Sequence, residues 1–123
     1  MSPSPIRLYG IPNCDTVKKA RKALADAGHE VVFIDVKKQA LDAPTLKGWM
    51  QTLGWEALVN RRGTTWRGLS AAQQGAVVDA ASACVALQEN PSLMKRPVVE
   101  WPDGAVTVGY DAPAWAPRLQ ARA

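Results

Sequence analysis

The sequence predicts an α/β domain built on a mixed sheet, and three observations carry that prediction. Residues 6–9 and 31–36 read as short strands on either side of one amphipathic helix, and strands joined through a helix run parallel. Pro97 to Trp101 and Ala105 to Gly109 are β-type runs around the turn Pro102-Asp103-Gly104, which makes an antiparallel hairpin. A chain of 123 residues is close to the commonest size of one domain, so residues 1–123 are expected to share one core. The order is β-α-β, then a helical insertion at about residues 42–91, then β-β and a short helix.

Each element has a local reason. After a Pro and Ser tail, Ile6 to Tyr9 alternates and ends at Gly10, followed by the loop Gly-Ile-Pro-Asn-Cys-Asp with Cys14 at its end. From Asp15 the period becomes helical: Val17, Ala20, Leu24 and Ala27 share a face, Lys18, Lys19, Arg21 and Lys22 occupy the other, and Gly28 supplies a stop. Val31 to Val36 is rich in β-branched residues, as a strand requires. Asp42 is an N-cap for a helix with Leu46, Trp49, Met50 and Leu53 on its apolar face, ending at Gly54. Ser70 and Gln73 have capping-box spacing ahead of Val77, Ala81, Cys84 and Val85, which predicts one helix that stops before Asn90-Pro91. Between these helices Asn60 to Gly68 has no periodicity and reads as a loop. A C-terminal helix near Ala114 to Leu119 is weakened by Pro113 and Pro117.

Composition narrows the function classes. The chain is 47% hydrophobic and 21% charged, ordinary for a globular protein and unlike a chain too polar to fold. Its net charge of +4 suits a small anionic ligand and is too slight to announce direct nucleic-acid binding. No apolar run approaches the ~18 residues of a membrane span, and the first residues lack a secretory pattern, so a cytoplasmic monomer without membrane contact is expected. With His29 the only histidine and no Cys-x-x-Cys, a zinc site and a Cys-His or Ser-His-Asp catalytic pair are not expected.

Cys14 is the sharpest chemical feature. A thiol at a helix N-terminus faces open N–H groups and the positive end of the dipole, both of which favour the nucleophilic thiolate. A lone cysteine is otherwise a small buried hydrophobe, but Gly10, Pro12, Asn13 and Asp15 around it are loop and capping residues. Cys84 falls in line with Val77 and Ala81 and is read as packing. Arg61, Arg62, Arg67 and Arg96 are either solvated charges or oxyanion ligands, and Arg96, fixed in extended conformation before Pro97, suits the second role best. Trp66 either pins the arginine loop or stacks on a ligand, and the lysines after Cys14 read as a wet helix face that can steer an acidic ligand.

Taken together, the runs LYGIPNCDTVKKAR, WEALVNRRGTTWR, VVDAASACVALQENPSLMKRPVVEW and GAVTVGY resemble the arsenate reductase-like family, which also contains the Spx regulators, from about Arg7 to Gly109. The form of the motifs is similar to that of the small bacterial YffB-type proteins. The resemblance implies a thioredoxin-like fold with an inserted helical subdomain, Cys14 as nucleophile, Arg96 before a cis-proline at Pro97, and Arg62 as the loop arginine, with Arg61 as its competitor. Asn13, Asp15, Thr16, Arg61, Trp66 and Pro97 are then the expected substrate contacts, and no metal or tightly bound cofactor is implied. The implied activity is a thiol-dependent reductase working through a mixed disulfide, with glutathione or a glutaredoxin-like thiol donor as co-substrate. Its alternatives are an Spx-like regulatory module that docks on a protein such as RNA polymerase, or an arsenate reductase proper. Two departures bear on these. Where arsenate reductases carry a further arginine the chain has Ala105 and Val106, and where Spx regulators carry Cys-x-x-Cys it has Cys14-Asp15-Thr16-Val17.

Overall fold

A computed structural model describes residues 5–120; residues 1–4, most of the Pro and Ser tail, and residues 121–123 lie outside the described residues. The chain forms two compact units. One combines the residues up to Asp35 with those from Arg96 onward, and the other runs from Val36 to Lys95.

The first unit holds the sheet. Strands β1 (Ile6–Gly10), β2 (Val31–Asp35), β3 (Val98–Glu100) and β4 (Val106–Val108) lie in the order β2-β1-β3-β4. β1 pairs parallel with β2, and antiparallel with β3, which pairs antiparallel with β4, so the sheet is mixed as expected. Helix α1 (Asp15–Asp26) links β1 to β2 and buries Val17, Ala20 and Leu24. These side chains join Ile6, Leu8, Val99, Trp101 and Trp115 in one core.

Trp115 explains the last helix of the chain, α7 (Ala112–Gln120), which is longer than its two prolines suggest. Pro117 removes one backbone hydrogen bond from the helix interior. Buried Trp115 offsets that loss by packing edge-on against Trp101, 5.0 Å between centroids, and Tyr110, 4.8 Å. His29 Nε2 donates to the Leu119 carbonyl over 2.8 Å, and the Arg118 guanidinium lies 4.9 Å from the Trp101 ring centre.

The second unit is helical: α2 (Ala43–Leu53), α3 (Trp55–Leu58), α4 (Thr64–Arg67), α5 (Ala71–Gly75) and α6 (Ala80–Glu89), followed by a 3-10 turn at Pro91–Leu93. α2 packs on α3 and α6. The unit is wider than residues 42–91 because its entry and exit are tied in. Val36, Leu93 and Met94 are buried, Val59 bridges Met94, and Lys95 N–H donates to the Leu58 carbonyl over 2.7 Å.

Two expectations need correction here. The helix foreseen from Ser70 to Glu89 is two helices: the Ser70/Gln73 capping box opens α5, and Asp79 with Ser82 forms a second box that opens α6. A capping residue needs extended backbone, so Asp79 at φ −154°, ψ −179° cannot lie inside a helix. The break rotates the buried face, so Ala83, Cys84 and Leu87 point inward while Ala81 and Val85 are exposed. The stretch from Asn60 to Gly68 is not wholly loop, since Thr64 to Arg67 makes the single turn of α4.

Candidate active site

The site grows out of the end of β1. A Cβ placed on Gly10 would lie 2.7 Å from Val17 Cγ2, so only glycine lets β1 run this close to the first turn of α1. Buried Ile11 anchors the loop that follows, Pro12 and Asn13 are exposed, and Cys14 N–H donates to the Ile11 carbonyl over 3.4 Å. Cys14 is then the N-cap of α1: its backbone is extended at φ −100°, ψ 124°, and its carbonyl accepts from Lys18 N–H over 2.9 Å.

Half-buried Cys14 feels opposed influences. Burial pushes its thiol up, but the N–H of Val17, the hydrogen bond and charge of the Arg96 guanidinium, and the N–H of Thr16 together outweigh it and hold the thiol below its ordinary value. The sulfur makes no side-chain capping hydrogen bond, so the amides act on it through their dipoles. Arg96 is itself half-buried, the Arg96–Pro97 peptide is cis as expected, and Pro97 is buried. The first unit thus brings together Cys14, Arg96, Pro97, Asn13, Asp15 and Thr16. The Val17 amide is the contributor that a search for functional side chains passes over; its signal is its place three residues after an N-cap.

The remaining expected residues belong to the helical unit, where Arg61 and Arg62 differ. The Arg61 guanidinium lies 5.4 Å from the Trp55 ring centre and 5.7 Å from that of Trp66, a clamp that joins α3 to α4. The Trp66 carbonyl accepts from Gln74 Nε2 over 2.8 Å, so the role visible for Trp66 is to pin this segment. Arg62 has an exposed side chain and gives its backbone N–H to Asn60 Oδ1 over 3.1 Å. Asn60 is a further residue that the sequence reading missed. Its N–H donates to the Leu93 carbonyl over 2.8 Å, and its Nδ2 would lie 2.8 Å from a Cβ on Gly63, so Asn60 and Gly63 shape the turn jointly. An Asn two residues before the N–H it binds is a turn signal that the two adjacent arginines obscured.

A cysteine at the strand-to-helix junction of a mixed sheet, with an arginine within reach of its sulfur, belongs to a thioredoxin-like fold. Residues 9–117 match the sequence profile of the ArsC family, and the chain belongs to that family. Over 106 residues it is 42% identical to an uncharacterized protein of Haemophilus influenzae, covering 86% of this chain and 91% of the relative. Its fold is similar to that of a solved YffB protein, with 40% identity, a TM-score of 0.86, and coverage of 93% and 98% of the two chains. It is also similar to an arsenate reductase (ArsC) related protein from Brucella melitensis, with 42% identity, a TM-score of 0.74, and coverage of 98% and 99%. The chain is therefore arsenate reductase-like and of YffB type.

Proposed function

We propose that this protein is a monothiol reductase that uses Cys14 as nucleophile and glutathione as the resolving thiol. The observation that carries the reading is the place of Cys14 at the start of α1, where Arg96 and the amides of Val17 and Thr16 hold its thiol below the ordinary value in spite of burial. The thiolate attacks the glutathione sulfur of a mixed disulfide: the Cys14–S–S–glutathione bond forms, the substrate S–S bond breaks, and the substrate leaves as a thiolate that takes up a proton. A second glutathione, deprotonated, attacks the Cys14 adduct, giving glutathione disulfide and returning the Cys14 thiolate. The net exchange turns the mixed disulfide and one added glutathione into the substrate thiol and glutathione disulfide: the substrate sulfur falls from the disulfide to the thiol level, and the added glutathione sulfur rises from the thiol to the disulfide level. Cys84, the other cysteine of the chain, is buried within α6 of the helical unit, so an external thiol is the natural resolver.

Arg96 serves both the thiolate and the carboxylates of glutathione, and Arg62 is the second arginine that the family resemblance offers for the anion. Intact-mass measurement after incubation with glutathione disulfide should show one glutathione adduct on Cys14, removed by excess glutathione. Calorimetric titration of glutathione into Cys14→Ser protein should weaken by about 1.5 to 3 kcal/mol on Arg96→Ala or Arg62→Ala, the range for a charge-assisted hydrogen bond. An adduct that forms without turnover would favour the regulatory-module reading. Turnover with arsenate in place of the disulfide would favour an arsenate reductase despite Ala105 and Val106.

A further inference from the structure

Helix α6 is apolar on two sides. Its residues, Ala-Ala-Ser-Ala-Cys-Val-Ala-Leu-Gln-Glu, include a single charge, Glu89. Ala83, Cys84 and Leu87 form the side turned inward. On the other side Ala81 is exposed, Val85 is 53% exposed, and Val78, just before the helix, is 66% exposed. Val32 is the other large hydrophobic residue so exposed among the described residues. A surface helix ordinarily sets charges opposite its buried stripe, and one that is apolar all round is covered all round.

The ground on either side of this ridge indicates what covers it. Ala81 and Val85 stand between two depressions. One lies toward α2 beside the first turn of α6, between Lys47, Met50, Ala80 and Ala81. The other runs along α5 to the last turn of α6, between Val77, Ser82, Ala86 and Glu89. The two therefore occupy opposite flanks and opposite ends of one ridge. A half-turn about an axis through Val85, perpendicular to the helix, lays each depression over the unlike depression of a second copy. The same half-turn brings Lys47 of each chain to the end of α6 that carries Glu89 in the other.

These two charges are complementary and otherwise unused. Both side chains are exposed, and among the described residues no ion pair is seen for either. Their own helices do not account for them. No acidic residue stands three or four positions from Lys47, and Glu89 opposes the dipole of α6 in a last turn that holds no basic residue. Asp79, the acid at the start of α6, is engaged with Ser82 N–H over 2.8 Å, on the flank away from Lys47.

We propose that this chain forms a two-fold dimer through α6, in which antiparallel helices meet along Ala81 and Val85 and two Lys47–Glu89 pairs close the rim. The small side chains of the ridge let the helices approach closely, and the charge pairs fix the antiparallel orientation. A face one helix long is below the standard size of a stable interface, so the dimer is a transient one with a dissociation constant on the order of 100 µM, in place of the monomer expected from the sequence. No residue of the Cys14 site takes part, so the proposal stands or falls apart from the reductase reading.

The test is sedimentation equilibrium of the full chain. From about 10 to about 500 µM the mean mass of the native chain should rise from that of one chain toward that of two. Val85→Asp should hold it at one chain throughout while leaving the circular dichroism unchanged, because the side chain it alters is exposed. Lys47→Glu and Glu89→Lys should each weaken association by about tenfold, since each sets like charges face to face twice. An equimolar mixture of these two variants should associate as well as the native chain, because each then meets the opposite charge in the other. No role within one chain produces that rescue. Lys19→Glu mixed with Glu30→Lys carries the same charge changes on the sheet unit and should associate as the native chain does, alone or mixed. A native chain that stays single overturns the proposal and leaves the ridge to a partner of another sequence. Association that survives Val85→Asp overturns it too, as does a mixture of Lys47→Glu and Glu89→Lys that associates no better than either variant alone.

Discussion

Cys14 and Cys84 are the same residue in opposite relations to a helix. Cys14 precedes α1, where amide N–H groups have no carbonyl one turn back, and the Arg96 guanidinium reaches its sulfur. Cys84 lies within α6 at 4% exposure, where the surrounding amides are committed to the helix and the side chain packs among apolar neighbours. Position along a helix, more than residue type, decides which thiol meets open amide N–H groups.

The largest expected effect separates the two residues outright. Cys14→Ser should abolish glutathione adduct formation and turnover, whereas Cys84→Ala should leave both intact and cost about 1 kcal/mol of stability in a denaturant titration, as a small buried truncation does. Loss of turnover in Cys84→Ala with Cys14 still labelled would make Cys84 a resolving thiol and erase the contrast.

Next comes the rate of alkylation against pH. Cys14 should react at neutral pH at least about tenfold faster than Cys84, with a midpoint below the ordinary thiol value. Arg96→Ala should move that midpoint up, and Arg96→Lys should restore part of the shift, since an ammonium keeps the charge but not the planar fork. The linked effect on folding has a definite sign. A thiol whose value is lowered on folding contributes stability above its unfolded value, and that contribution is lost as pH falls through the folded value. An Arg96→Ala profile that overlays the native one would remove the arginine from the site.

A smaller effect sharpens the comparison through the backbone. Gly10→Ala forces a methyl against Val17, so it should cost about 1 to 3 kcal/mol, the range for overpacking, and raise the Cys14 midpoint by displacing the start of α1. Adding Val17→Ala should recover part of both. Stability lost without any change in the Cys14 profile would show that the helix start tolerates the shift.

The smallest effect is expected away from both thiols. Tyr9 donates to Glu100 Oε1 over 2.9 Å. Burial, followed by the hydrogen bond and charge of Glu100, pushes its hydroxyl up to about 12, against a lesser pull from Arg7. A raised value stabilises the fold while the hydroxyl stays neutral. The contribution is whole below the unfolded value near 10 and is lost as pH rises through about 12. Tyr9→Phe should cost about 1 kcal/mol at neutral pH, the worth of one hydrogen bond. It should also flatten the alkaline limb of the stability profile, and an unchanged limb would assign that loss to other groups.

Much of this was legible in the residues because it is local. The alternation of Ile6 to Tyr9, the three-and-four spacing of Val17, Ala20 and Leu24, and the turn at Pro102-Asp103-Gly104 each specify an element within a few residues. Asp42 receives the Thr45 N–H over 2.9 Å, as an N-cap does. The Asp79/Ser82 box was equally present in the sequence, but apolar residues on both sides of it mimic one continuous face, and capping outweighs that pattern.

By itself, then, the sequence determined the strand-helix-strand start, the hairpin, the capped helices and the placing of Cys14 before α1, because each rests on backbone preferences and periods that act over a turn or less. Tertiary structure alone decided that Arg96, far along the chain, comes within reach of the Cys14 sulfur. It also decided that Arg61, exposed like its neighbour Arg62, lies near the rings of both Trp55 and Trp66, and that α7 persists through Pro117 because Trp115 is buried. These outcomes depend on which surfaces meet when the chain folds, and a pairing of distant residues leaves no periodic trace in the order of the residues that make it.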